Sequence, residues 1–211
     1  MPYLTQFQEK LNEYDKDACV GLAHEWVSSG QLGLIEFYET ILAKAMTGVT
    51  SKESNPKHKI WDEHMKTQIL RTVLESLYPI VLKKSFQGSD KRVAIVCPEG
   101  EYHELGPRVV ADYFRILGFN AHFFGNSLPK EEISDLIRSF DFDYVVLSTN
   151  NFYNLSALNT TVGIINRDHP EQKIILGGQA LVNNHDAIHG NNVFICQNFK
   201  ELQAVVKGDV K

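Results

Sequence analysis

The stretch RVAIVCPEGEYHELGPRVVADYFRIL, residues 92–117, decides how the second half of the chain folds. RVAIVC is aliphatic after Arg92, the composition of a strand buried on both faces. From Gly106, GPRVVADYFRIL spaces its apolar residues at helical period. Between them, EYHELG (101–106) sets a histidine between two acids and follows it with a glycine. A histidine in such a loop reads either as solvated surface or as a side chain placed for chemistry.

Working outward, four more β-rich runs follow: NAHFF (120–124), DYVVLS (143–148), KIILG (173–177) and VFIC (193–196). Amphipathic stretches alternate with them: KEEISDLIRSF, LSALNTTVGIINR and ALVNNHDAIH, with FKELQAVVK after the last strand. Five strand-then-helix units predict a parallel sheet with helices on both faces, joined by right-handed crossovers. Such sheets bind ligands at the carboxyl ends of their strands, near the point where the strand order reverses. EYHELG lies on that edge.

Upstream, residues 2 to about 87 follow a helical period, as in Leu4, Phe7, Leu11 and Tyr14, or Met65, Ile69, Val73 and Leu77. Breaks at YDKD, SSGQ and TSKESNPKHK separate four helices expected near 3–13, 17–29, 33–48 and 59–83, a small antiparallel bundle. Pro79 should kink or end the last near Tyr78. The expected organisation is a helical bundle over 1–87 and an α/β domain over 88–211, a five-stranded parallel sheet of flavodoxin or Rossmann-like type.

Totals narrow the function classes. At 211 residues with 43% apolar composition the chain can bury a sizeable core. A net charge of −5, with no basic cluster longer than KHK (57–59), argues against direct nucleic-acid binding. No segment has the apolar run a membrane span needs, and the N-terminus has no leader pattern, so a cytoplasmic location is expected. Cys19, Cys97 and Cys196 are far apart and odd in number, as expected of buried thiols rather than disulfides or a zinc site. No Ser-His-Asp order, P-loop or zinc signature suggests turnover by the chain alone. His24-Glu25-Trp26 has no second metal-spaced histidine, and His185 and His189, four apart on the expected helix ALVNNHDAIH, have no third ligand.

Three loops on the ligand edge carry unusual residues: EYHELG, then STNN from Ser148, then GGQA from Gly177. Between Gly106 and Ser148 lie 41 residues, and between Asn150 and Gly177 lie 26. In residues and spacing this resembles the cobalamin-binding domain family, with its Asp-x-His-x-x-Gly, about 41 residues, Ser-x-Leu, about 26 to 28 residues, and Gly-Gly. The methionine-synthase-like branch also precedes that domain with a helical cap, where this chain has its bundle.

The resemblance implies cobalamin bound with its own base displaced, His103 as the lower cobalt ligand and Glu101 accepting the other ring N–H. Gly106 would relieve crowding at the helix start, Ser148 and Thr149 would offer hydroxyls to the nucleotide tail, and Gly177 and Gly178 would let it approach closely. Two departures stand out. Glu101 replaces the family's Asp and is a methylene longer, so its contact with His103 is expected to be shifted or water-bridged. Asn150 replaces Leu, which with GGQA looks more like the sensory branch typified by light-responsive CarH regulators.

That branch places Trp, nine residues, then Glu-His over the upper cobalt face. Here Glu63-His64 matches, but Glu53 stands in place of Trp and Ser54 in place of the neighbouring histidine. Trp61 or His58 could fill that space, and Trp61 could equally be bundle core, as is expected of Trp26. The leading expectation is a cobalamin sensor, possibly light-responsive through adenosylcobalamin, signalling to a separate output protein or by self-association. A second reading is a corrinoid methyl carrier for separate methyltransferases, with methylcobalamin. A third puts haem on His103 or another histidine, or a bilin beside Cys97, in the same pocket.

Overall fold

The computed structural model describes residues 2–50, 60–85 and 90–209. These form two compact units, Met1–Lys84 and Ser85–Lys211. Glu53, Ser54, His58 and the KHK cluster lie outside the described residues.

The first unit is helical: α1 (Pro2–Asn12), α2 (Lys16–Ser28), α3 (Leu34–Phe37), a π turn (Tyr38–Leu42), α4 (Ala43–Thr50), α5 (Ile60–Ser76) and α6 (Tyr78–Lys84). Asp15 starts α2 by accepting the Ala18 N–H at 2.9 Å, a side-chain cap for an otherwise unpaired donor. The expected third helix runs from α3 to α4 through the π turn, which no sequence period announced. Pro79 acts as anticipated: α5 stops at Ser76, and α6 begins with Pro79 in its first turn. Phe7, Trp26, Phe37, Leu42, Val73 and Leu77 are buried together as the core of this unit.

One expectation here fails. Met65 belongs to the predicted apolar series, yet it is 49% exposed. The buried side of α5 begins instead with Asp62 and Lys66, an ion pair at 3.1 Å whose carboxylate also accepts the Tyr14 hydroxyl at 2.6 Å. A row of residues four apart drifts around a helix of 3.6 residues per turn, so Met65 and Leu77 do not share one buried face.

The second unit holds β1 (Arg92–Val96), α7 (Leu105–Ile116), β2 (Asn120–Phe123), α8 (Lys130–Phe140), β3 (Tyr144–Ser148), α9 (Leu155–Asp168), β4 (Lys173–Gly177), β5 (Val193–Ile195) and α10 (Phe199–Val206). All pairings are parallel, in the order β2-β1-β3-β4-β5. Ala94, Val96, Val145 and Leu147 pack with Ile133 and Ile137 of α8 and Leu158 and Val162 of α9. On the other face Phe114 of α7 meets Tyr144, and Tyr113 stacks edge-on with Phe199 of α10 at 5.0 Å. The sheet is thus covered on both faces.

The fourth crossover departs from expectation. ALVNNHDAIH forms no α-helix but two 3-10 turns, Gln179–Leu181 and His185–Ala187. The Asn184 side-chain amide donates to the Ala180 carbonyl at 2.9 Å, satisfying locally a group that a helix would pair through its backbone. His185 and His189 therefore do not share a helical face. No helix among the described residues is long and apolar enough to cross a membrane.

Candidate functional site

Strand order fixes the site. From β1 the chain steps outward to β2 and then returns to β3 on the other side of β1, so the loops after β1 and β3 part at the reversal point. EYHELG leaves the first and STNN the second.

The turn after β1 aims the carboxylate. Pro98, Glu99, Gly100 and Glu101 close it with a Glu101 N–H to Pro98 carbonyl bond of 2.9 Å, and Gly100 takes φ +81, the left-handed conformation this turn requires. Glu101 thereby points inward and is 1% exposed. One of its oxygens accepts the His103 backbone N–H at 3.0 Å and faces His103 Nδ1 at 2.5 Å. The other accepts the Asn150 N–H at 2.9 Å, the Asn151 N–H at 3.0 Å and the Asn154 side-chain amide at 3.2 Å. The longer glutamate thus reaches His103 directly, correcting the expectation of a shifted or water-bridged contact.

Electrostatics fix the tautomer. Burial pushes the Glu101 carboxyl up, but bonds from the His103 ring, the Asn151 N–H, the His103 N–H and the Asn154 amide outweigh it and bring the pKa down to about 2 from 4.5. An ionised carboxylate only accepts, so Nδ1 carries a ring proton. The ring remains 43% exposed. His103 is therefore an imidazole oriented through Nδ1, the arrangement in which a metal-binding histidine uses its other nitrogen as ligand.

The other expected residues fall into three groups. Ser148, Thr149 and Asn150 follow β3, beside Gly177 and Gly178 at the end of β4, with Ser148 paired to Gly177 and the Thr149 N–H on the Gly177 carbonyl at 3.0 Å. Thr149 is fully buried, and its hydroxyl has no hydrogen-bond partner among the described residues. A buried hydroxyl without a partner is costly, and a polar ligand group would relieve it. Gly106 lies in the first turn of α7, where an added Cβ meets no atom within 4 Å. The chain's own packing does not require that glycine, so crowding between protein atoms is not its reason.

Gly178 is required by the protein's own backbone as well. Its φ is +105, and an added Cβ would lie 2.3 Å from the Thr149 carbonyl oxygen. The glycine serves the crossing of the two loops. Asn150, which departs from the family's Leu, accepts the Gln179 N–H on its Oδ1 at 2.9 Å. Its side chain fastens the β3 loop to the β4 loop.

Trp61, Glu63 and His64 lie at the start of α5 in the first unit. Trp61 is 53% exposed, with the Tyr14 ring centroid 6.1 Å away, which overturns the bundle-core alternative for it. His64 is exposed and Glu63 half-buried.

Asn151, Asn154 and Gln179 complete the hydrogen-bonded set and were missed in the sequence. The asparagine density of NNFYN (150–154), directly after a buried strand, was the available signal. Cys97 is wholly buried, with its thiol pushed up to about 12 by burial and by the Glu101 and Glu104 charges, so it is not a reactive thiolate. Elsewhere Ser134, Asp168 and His169 meet. The Ser134 hydroxyl donates to Asp168 at 3.0 Å, while His169 Nε2 reaches both the oxygens of Ser134. A carboxylate bonded to the serine rather than to the imidazole is a pin between α8 and the end of α9, not an activated nucleophile.

The sequence model of the family described as the B12 binding domain matches residues 91–196, half of the chain. No curated protein matches the sequence significantly. Among solved structures, the Methanosarcina barkeri monomethylamine corrinoid protein superposes with a TM-score of 0.82 at 15% identity, over 97% of each chain. The methanol:cobalamin methyltransferase complex from the same organism gives 0.51 at 16% identity, over 99% of this chain and 82% of that one. At these identities the likeness is one of fold.

Proposed function

The chain belongs to the B12-binding domain family, and we propose that it is a corrinoid methyl carrier that passes a methyl group between separate partner enzymes. The observation that carries the corrinoid part is the Glu101–His103 pair, in which a buried carboxylate holds the ring through Nδ1. The unpartnered Thr149 hydroxyl and the empty space at Gly106 fit a bound group at the same edge.

His103 would hold the cobalt from below, and Ser148, Thr149 and the Gly177–Gly178 segment would hold the nucleotide tail. When bound, the corrinoid supplies the metal that carries the methyl group. The chain's own part is positional. Glu101 keeps the proton on Nδ1, so the ring need not choose a tautomer when the ligand arrives, and the asparagine bonds keep the carboxylate from following the ring away.

The carrier reading displaces the light-sensor expectation. Asn150, which motivated the sensor, is accounted for by the loop bond to Gln179. The likeness over nearly the whole chain is to a monomethylamine corrinoid protein, and the second neighbour is a complex with a methyltransferase. Methylcobalamin suits this role better than adenosylcobalamin. The family match favours a corrinoid over haem or bilin, and the inert Cys97 thiol removes the anchor considered for a bilin.

Protein loaded with cobalamin and reduced should accept a methyl group from a corrinoid-dependent methyltransferase. It should also elute identically from gel filtration in the dark and after green light when loaded with adenosylcobalamin. A light-dependent change in association, with no methyl acceptance, overturns the carrier reading in favour of the sensor.

A further inference from the structure

Three loops that the chain delivers separately to the carboxyl edge are joined through one residue. Asn150 donates its backbone N–H to Glu101 Oε2 at 2.9 Å, and its Oδ1 accepts the Gln179 N–H at 2.9 Å. Glu101 Oε1 in turn faces His103 Nδ1 at 2.5 Å. Gln179 directly follows Gly177-Gly178, where an added Cβ would collide with the backbone of Thr149. The contacts therefore run without a gap from the β4 loop, through Asn150 and Glu101, to the imidazole.

From this we propose that Asn150 is a positioning residue that couples occupation of the Thr149–Gly178 edge to the orientation of His103. The inference rests on the corrinoid reading. A group that enters beside the Thr149 hydroxyl must press on the Gly177–Gln179 segment, because Gly178 has no slack against Thr149. Asn150 Oδ1 holds that segment through Gln179, and the Asn150 backbone holds the Glu101 oxygen opposite the one that orients the ring. Displacement at one end thus changes the carboxylate that fixes the other. By linkage, ring ligation and tail occupation favour each other by the same factor.

Two changes cut the bridge from opposite sides. Asn150→Leu keeps the branched side-chain shape and the backbone N–H and removes the Oδ1 acceptor together with the side-chain NH2 group. Gln179→Pro removes the N–H donor, along with the glutamine side chain, at the first residue of a 3-10 turn, where proline is tolerated. Asn150→Asp retains an acceptor oxygen and is the rescue.

The test compares cobalamin with cobinamide, which lacks the nucleotide tail, on the full chain. Readouts are the affinity ratio of the two and the axial-nitrogen splitting of the cobalt(II) EPR signal. Wild type should prefer cobalamin and show more nitrogen-ligated cobalt with it. In Asn150→Leu and Gln179→Pro the affinity ratio should fall about fivefold, the worth of one neutral hydrogen bond, and the difference in nitrogen signal should disappear. Asn150→Asp should restore both. If the two variants keep the wild-type ratio while His103→Ala abolishes the nitrogen signal, the coupling is refuted and the corrinoid reading stands. If wild type retains neither corrinoid, both are refuted.

Discussion

Replacing Glu101 by glutamine removes the charge from a carboxylate that accepts five hydrogen bonds while 1% exposed. The amide has one acceptor oxygen. If it stays with Asn150, Asn151 and Asn154, the NH2 group faces the His103 N–H and ring, so the backbone donor loses its partner and Nδ1 must become the acceptor. The ring proton then moves to Nε2, the nitrogen a metal would need. The magnitude follows from the carboxyl pKa, which falls from 4.5 to about 2 on folding. At about 1.4 kcal/mol per pH unit this is worth about 3 kcal/mol at pH 7. Because the folded value is depressed, the stabilisation is full above the unfolded pKa and drains away as pH falls toward 2. The gap between wild type and Glu101→Gln should therefore shrink from about 3 kcal/mol at pH 7 to about 1.5 kcal/mol at pH 3.

Hydrogen exchange of the β1 and β3 amides reports this gap directly. Equal exchange in wild type and variant at pH 7, or a gap that does not narrow with acid, would refute the reasoning.

The two glycines should behave oppositely. Gly178→Ala forces a Cβ to 2.3 Å from a backbone oxygen at φ +105 and should cost about 3 kcal/mol or more of stability by thermal melting. Gly106→Ala meets open space, so it should leave the melting temperature of the ligand-free protein unchanged or higher but reduce cobalamin retention. At the opposite sheet edge, Asp209 accepts from Lys91 at 2.7 Å, Tyr144 at 2.5 Å and Lys173 at 3.1 Å, and these bonds hold its carboxyl well below the usual range. Asp209→Ala should destabilise the second unit by about 2 kcal/mol in urea denaturation while leaving cobalamin affinity intact. A matching loss of affinity would contradict the separation of latch from site.

The sheet was legible because its strands are unbroken aliphatic runs and its period changes sharply after residue 90. RVAIV and YVVLS are buried residue for residue as their composition demands, apart from Arg92 at the exposed start. The fourth crossover was not legible. ALVNNHDAIH carries helical spacing, but asparagine side chains offer backbone groups a local partner that spacing alone does not register. At the site, His103 and Glu101 stood out through the resemblance of their motif to that of the cobalamin-binding family. The roles of Asn150, Asn154 and Gln179 did not, because they come from loops that only the sheet order brings together. Gly178 shows the limit of motif reading. The motif marks the residue, while the Thr149 backbone is a further reason for it.

The claim on which the account stands is that His103 ligates cobalt through Nε2. The most direct measurement is the cobalt(II) EPR spectrum of desalted, cobalamin-loaded protein, wild type against His103→Ala. The account predicts that wild type retains the corrinoid and shows one axial nitrogen, and that His103→Ala loses that splitting. An identical nitrogen signal in both proteins, or no corrinoid retained by wild type, would contradict it.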